Sequence, residues 1–233
     1  FLDSCPDRWG RVLMQRRERI KAKEEGRPIR KLHESDYLLG VYDGNRMGAL
    51  RFKTYPDGSF LDDDAKLATP PITSLRDLEQ ASLNYERTDA EESPEYQKWI
   101  HMLYSPGSSL GGARPKANVI DTEGNLWIAK FPSRHDTIDV GAWEYLVTEM
   151  ARDFRINVPE IRLEKVYSRY HTFLTKRFDR QKSNRFYFAS AMTLLGYTDG
   201  DNAAEGASYL DLAEFLQRFG TPQQQNDMQG LWK

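Results

Sequence analysis

Only one cysteine, Cys5, stands among the 233 residues, so no internal disulfide can staple the fold and apolar packing has to hold it. No apolar run approaches the roughly 18 residues of a membrane-spanning helix, and no secretory signal opens the chain. These absences point to a reducing, cytoplasmic setting and no membrane partner. An excess of one charge is missing too: 33 Lys and Arg face 35 Asp and Glu, a formal net charge of −2. That balance argues against general affinity for nucleic acid or anionic lipid. The four histidines, His33, His101, His135 and His171, show no metal-ligand spacing. No methionine precedes Phe1, and the sequence stops at Lys233 within an apolar stretch around Leu231 and Trp232, so both ends read as cut.

What is present is a globular composition, 39% hydrophobic and 29% charged, with length for one or two domains. Ser4, Pro6 and Asp7 form a helix-start signal, and Trp9, Leu13 and Ile20 follow before Gly26 and Pro28 stop the helix. A short helical piece around 37–41 comes next. Asp43-Gly44 then leads into a hairpin with one strand over 47–53 and a turn at 56–58. Two amphipathic helices follow, one bearing Leu75, Leu78, Ser82 and Tyr85 on a face, the other bearing Tyr96, Trp99, Ile100 and Leu103 after a Ser93-Pro94 cap. Residues 105–116 hold too much glycine and proline for a helix or a central strand. Strands over 117–120 and 126–131, a helix over 139–154, and strands over 161–167 and 171–178 complete the central region. The remainder reads helical, best marked over 208–219, where Ser208 and Asp211 form a capping box.

The middle of the chain therefore runs from a glycine-rich loop through a strand pair with a lysine and a helix with a glutamate to a second strand pair. Phosphoryl transfer from ATP needs these parts. Glycines let backbone N–H groups approach phosphates without a Cβ in the way. A strand lysine supplies a fixed positive charge, and a helix glutamate holds that lysine in place. The candidates are Gly111 and Gly112, Lys130 in Trp127-Ile128-Ala129-Lys130, and Glu144. Each alone has an ordinary reading as a turn glycine, an edge lysine or a surface glutamate. Their order in one unit is what points to a nucleotide.

Several segments carry a resemblance: SSLGGARPKANV from Ser108, LWIAKFPS from Leu126, WEYLVTEMAR from Trp143 and LTKRFDR from Leu174. In this order they resemble the HipA family of toxin serine/threonine kinases. CPDRWGRVL and DYLLGVYDGNRMGALRF resemble the segment before the kinase core of that family. The resemblance implies that Gly111, Gly112, Ala113, Arg114, Pro115 and Lys116 form the phosphate-binding loop and that Lys130 is the ATP lysine. It makes Glu144 the helix glutamate, with Glu149 on the same helix as the alternative. Lys176, Arg177 and Phe178 match the strand whose backbone meets the adenine, although the family often has an acid where Lys176 stands, so only a backbone contact transfers there. Ser109, or Ser108 beside it, matches an inhibitory autophosphorylation site. A phosphate there adds about −1.5 to −2 charge beside an anion pocket.

The resemblance also implies an α+β, HipA-like kinase fold. Residues 1–105 would form an accessory N-terminal subdomain, 106–179 an antiparallel-sheet N-lobe, and 180–233 the start of a helical C-lobe. ATP and Mg²⁺ are the implied cofactors. A protein serine, typically on a tRNA-charging enzyme, is the implied acceptor, and a HipB-like antitoxin with a helix-turn-helix domain is the implied partner, bringing DNA in only indirectly. The family's catalytic aspartate segment and its metal aspartate do not occur here. The expectation is therefore no catalytic residue and no metal ligand within these residues, and no catalysis from them alone. A non-catalytic nucleotide- or antitoxin-binding module is the alternative. A second rival is nucleic-acid binding by residues 8–31, which hold ten basic and three acidic residues; without aromatic interleaving, a solvated helix face is the plainer reading.

Overall fold

In the computed structural model, which describes residues 2–62, 68–107, 109–110, 112–198 and 200–232, the first helix begins later than its Ser4 signal. Ser108 and Gly111 lie outside the described residues. Asp7 is the N-cap of α1 (Arg8–Glu24), its carboxylate accepting the Arg8 N–H at 2.8 Å. Among the described residues, three further α-helices precede the sheet: α2 (Glu34–Leu39), α3 (Leu75–Tyr85) and α4 (Tyr96–Gly107). The sheet holds β1 (Lys116–Ile120), β2 (Leu126–Lys130), β3 (Ile161–Glu164) and β4 (Thr172–Lys176), antiparallel throughout and in the order β1-β2-β4-β3. Helix α5 (Val140–Asp153) connects β2 to β3. The architecture is α+β.

Strand alternation sorts the sheet into two faces. Ala117, Val119, Trp127, Ala129 and Leu174 are buried on one face, in a single cluster with Trp9 and Leu13 of α1, Leu78 of α3, and Ile100 and Leu103 of α4. Burying each large side chain contributes about 1.5–3 kcal/mol, so this cluster is the main source of stability. It spans residue 105, and the helices before that residue and the strands after it share one core. The contacts divide the chain elsewhere, into residues 1–147 with 159–187 and residues 148–158 with 188–233.

Three sequence expectations are corrected by long-range polar contacts. Residues 47–53 form no strand; only one bridge, Lys53 to Phe60, remains of the expected hairpin. Their neighbourhood is held by guanidinium groups instead, because the carbonyls of Asn45, Arg46 and Gly48 accept from Arg177 and Arg180. Strand β3 stops at Glu164, before the expected residue 167. Buried Glu79 of α3 takes over there, accepting the Ser168 N–H at 2.8 Å and the Thr172 hydroxyl at 2.7 Å. Strand β4 ends at Lys176, where Arg177 turns into a buried ion pair; the short strands β5 (Arg180–Gln181) and β6 (Asn184–Arg185) follow.

The second unit is helical beyond the end of α5: α6 (Ala191–Leu195), α7 (Tyr209–Phe219) and α8 (Gln224–Trp232). The Ser208 and Asp211 capping box opens α7 as the sequence predicts, and Tyr197 donates to Asp211 at 2.9 Å. Among the described residues, no helix is long and apolar enough to cross a membrane.

Candidate functional site

The sheet face opposite the core carries Lys116 and Lys130. Lys116 and Lys130 are directly opposed on β1 and β2, and Lys130 is also opposed to Phe173 on β4. Directly opposed residues share a face, so both ammonium groups leave the sheet on the same side. Glu144 of α5 reaches Lys130 and accepts a hydrogen bond from its Nζ. Both side chains of this pair are about one-third exposed, so the lysine is oriented and still open to a ligand. Glu149 pairs with Arg152 of its own helix. The structure brings Lys130 and Glu144 together from two elements that the sequence already placed.

Lys116 is only 7% exposed. Burial, then the neighbouring Lys130, pushes its ammonium down to about 8, against the pull of Asp7 and Glu144. Lys116 and Lys130 thus stand as neighbouring cations on one side of the sheet, with the Asp7 and Glu144 carboxylates acting on them.

The loop before β1 is shaped by the first turn of α1. Gly112 sits at φ +77°, a left-handed conformation that favours glycine. Its N–H donates to the Asp7 carboxylate at 2.8 Å, and its carbonyl accepts the Trp9 N–H at 3.0 Å. The Trp9 indole N–H donates to the Lys116 carbonyl at 2.8 Å. A Cβ on Gly112 would stand 2.8 Å from Lys116 Nζ, so the ammonium passes directly over this glycine. Arg114 grips Asp136 through its two terminal guanidinium nitrogens, at 2.8 and 2.7 Å, and also donates to the Phe131 carbonyl. Pro115 accepts the Phe131 N–H, and Ala113 is exposed. Asp7, Trp9 and Asp136 were not singled out from sequence as site residues. Asp7 carried a signal, but as a helix start.

Ser109 is 4% exposed, and its hydroxyl accepts from Asn118 Nδ2 at 2.8 Å. The other end of that amide, Oδ1, accepts from Arg177 at 2.8 Å. Arg177 in turn binds both oxygens of Asp179, at 2.8 and 2.6 Å, with both side chains fully buried. The Arg177 side chain is therefore committed to the interior. The backbone N–H groups of Lys176 and Arg177 are taken by the Glu160 and Leu126 carbonyls, and Lys176 Nζ reaches Glu160. Phe178 is 63% exposed.

The basic segment 8–31 spends much of its charge on partners within the chain. Arg11 is bound to Glu34 at 2.7 and 2.6 Å, Arg27 binds buried Glu18, Arg16 pairs with Glu91, and Arg17 stacks 4.0 Å over the Tyr104 ring. Among the described residues, no group of three or more His, Cys, Asp or Glu side chains is placed to hold a metal ion.

A family model described as HipA-like C-terminal domain matches residues 108–233, more than half of the chain. No curated protein and no solved structure matches.

Proposed function

The chain belongs to the HipA-like C-terminal domain family, a family of kinases, and from that membership we propose that its lysine-bearing sheet face holds the nucleotide of a protein serine/threonine kinase. The observation that carries this reading is the Lys130–Glu144 pair, set beside Lys116 and the positive-φ turn at Gly112. The donor set fits a polyphosphate. It offers two neighbouring ammonium groups, one oriented by a carboxylate, and a loop in which a glycine keeps the lysine path clear.

When bound, ATP supplies the phosphoryl group, and these residues bind and orient its anionic end. Glu144 holds the Lys130 ammonium in place, so little ordering is left to do when a phosphate arrives. Arg114, locked on Asp136, fixes the exit of the loop. The described carboxylates do not gather into a site for Mg²⁺. On the same reading the acceptor is a protein serine and the partner a HipB-like antitoxin.

Replacing Lys130 by alanine removes a charge-assisted contact worth about 1.5–3 kcal/mol, so ATP affinity should fall roughly ten- to a hundredfold. The fold should survive, because the side chain is about one-third exposed. Titration with a fluorescent ATP analogue reads this directly, and unchanged affinity would refute the site. Phosphate transfer by the same preparation separates a kinase from a nucleotide-binding module. Phosphopeptide mapping tests Ser109, whose hydroxyl must first leave Asn118; phosphate found only at other residues removes it as the acceptor.

A further inference from the structure

The nucleotide site leaves His171 and Asp139 without a part, yet both stand where α5 meets β4. Asp139 precedes α5, and its Oδ1 accepts the Ala142 N–H at 3.1 Å, an ordinary helix cap. The same carboxylate does more. Oδ1 also accepts the His171 backbone N–H at 3.1 Å, and Oδ2 bonds the His171 ring at Nδ1 at 2.5 Å. Beside them Gly141 lies against the start of β4: a Cβ there would come within 2.3 Å of the His171 carbonyl oxygen. No side chain fits in that gap, so the first turn of α5 rides on the strand at backbone contact.

The next turn of the helix is what this contact controls. Glu144 follows Gly141 at i+3, on the same face of the helix. The strand under that face carries Phe173, which is the register partner of Lys130. The height and rotation of α5 over β4 therefore decide whether Glu144 meets the lysine. A cap alone needs one carboxylate oxygen and one helix N–H. The second oxygen, the imidazole and the glycine contact tie the helix to this strand in particular.

We propose that Asp139 and His171 are positioning residues that clasp α5 to β4 and so hold Glu144 on Lys130. Their importance to the nucleotide rests on the reading of the Lys130 face, but the clasp itself can be measured without a nucleotide. An ammonium held by a carboxylate reacts slowly with acylating reagents, and one released from it reacts faster. The full chain and its variants are treated briefly with an N-hydroxysuccinimide acetate, and acetylation at Lys130 is quantified by peptide mass spectrometry. In parallel, a fluorescent ATP analogue is titrated.

His171→Ala should raise Lys130 acetylation by about three- to tenfold, the loss expected for one charge-assisted bond. It should weaken nucleotide binding by a similar factor. His171→Asn, whose amide nitrogen replaces Nδ1, should stay near wild type on both measures. The double variant H171A/E144Q should behave like Glu144→Gln alone, because both changes act on one contact. Unchanged Lys130 labelling in His171→Ala, or effects that multiply in the double variant, would overturn the proposal. If His171→Ala does not fold, Asp139→Asn decides by the same labelling: faster labelling supports the clasp and an unchanged rate overturns it. Should labelling respond as stated while nucleotide affinity ignores Lys130→Ala, the clasp stands and the nucleotide reading falls.

Discussion

Arg177→Ala removes the centre of a deeply buried polar network in the first unit. In the native protein, Arg177 Nε and Nη2 bind the two oxygens of Asp179 at 2.8 and 2.6 Å. Nη1 donates to the Asn45 carbonyl and to Asn118 Oδ1, both at 2.8 Å, and Nη2 also reaches the Arg46 carbonyl at 3.1 Å. Both members of the ion pair are fully buried. Breaking such a pair by removing one partner costs about 3–5 kcal/mol. Two features decide where in that range the loss should fall. Asp179 keeps Arg180 and the Gly48 N–H, each at 2.7 Å, so its charge is not orphaned. Asp179→Ala is the harsher change, since it leaves the guanidinium groups of Arg177 and Arg180 buried together. The expected order is thus Asp179→Ala above Arg177→Ala, with the paired apolar replacement R177M/D179L costing less than either single change. Equilibrium unfolding in guanidinium chloride, followed by tryptophan fluorescence, gives the midpoints, and unchanged slopes license the comparison. Burial pushes the Asp179 carboxyl up, but the Arg177 hydrogen bond and charge, the Arg180 charge and the Gly48 N–H together outweigh it and hold the group below its usual range. That stabilisation is present above the unfolded value of about 3.9 and is lost as pH falls through the folded value. The gap between wild type and Asp179→Ala should therefore narrow on acidification below about pH 4. A loss under about 1 kcal/mol for either single variant would refute the reasoning, since it matches an exposed pair rather than a buried one.

Lys116 should make nucleotide binding pH-dependent. With its ammonium pushed down to about 8, affinity should fall as pH rises from 7 to 9, binding should take up protons in that window, and Lys116→Met should abolish the step; isothermal titration in two buffers of different ionisation enthalpy measures it. The sign for folding is the opposite: a depressed lysine opposes the native state below its folded value, and this penalty fades, so stability rises, between about 8 and the unfolded value of about 10.4. Gly112→Ala should cost about 1–2 kcal/mol for the left-handed backbone. It should also displace Lys116, weakening nucleotide binding beyond its effect on the unfolding midpoint, and equal binding in the two proteins would rule out that path for the ammonium.

What the sequence made legible was local. A lysine at the end of an alternating strand and a glutamate on an amphipathic helix have positions set by periods of two and 3.6, so Lys130 and Glu144 can be named from the residue pattern alone. The contacts that shape the site span long separations and have no such period. Asp7 meets Gly112, Glu79 meets Ser168 and Thr172, and Arg177 meets the carbonyls of Asn45 and Arg46. The expected strand over 47–53 failed for the same reason, because neighbouring carbonyls were spent on guanidinium donors that no local pattern announces. The functional consequence is clearest at Ser109. As sequence it is a polar loop residue open to modification; in the fold it ends a chain of bonds running through Asn118 to Arg177 and Asp179. A kinase acting on Ser109 must first break its bond to Asn118. Asn118 is held in turn by Arg177, so loosening that anchor lowers the cost. Arg177→Ala should then do more than destabilise: at temperatures where it remains folded, the phosphorylated fraction at Ser109 should rise relative to wild type if Ser109 is an acceptor at all. Equal phosphorylation of the two proteins would mean that the buried chain does not govern access to the loop.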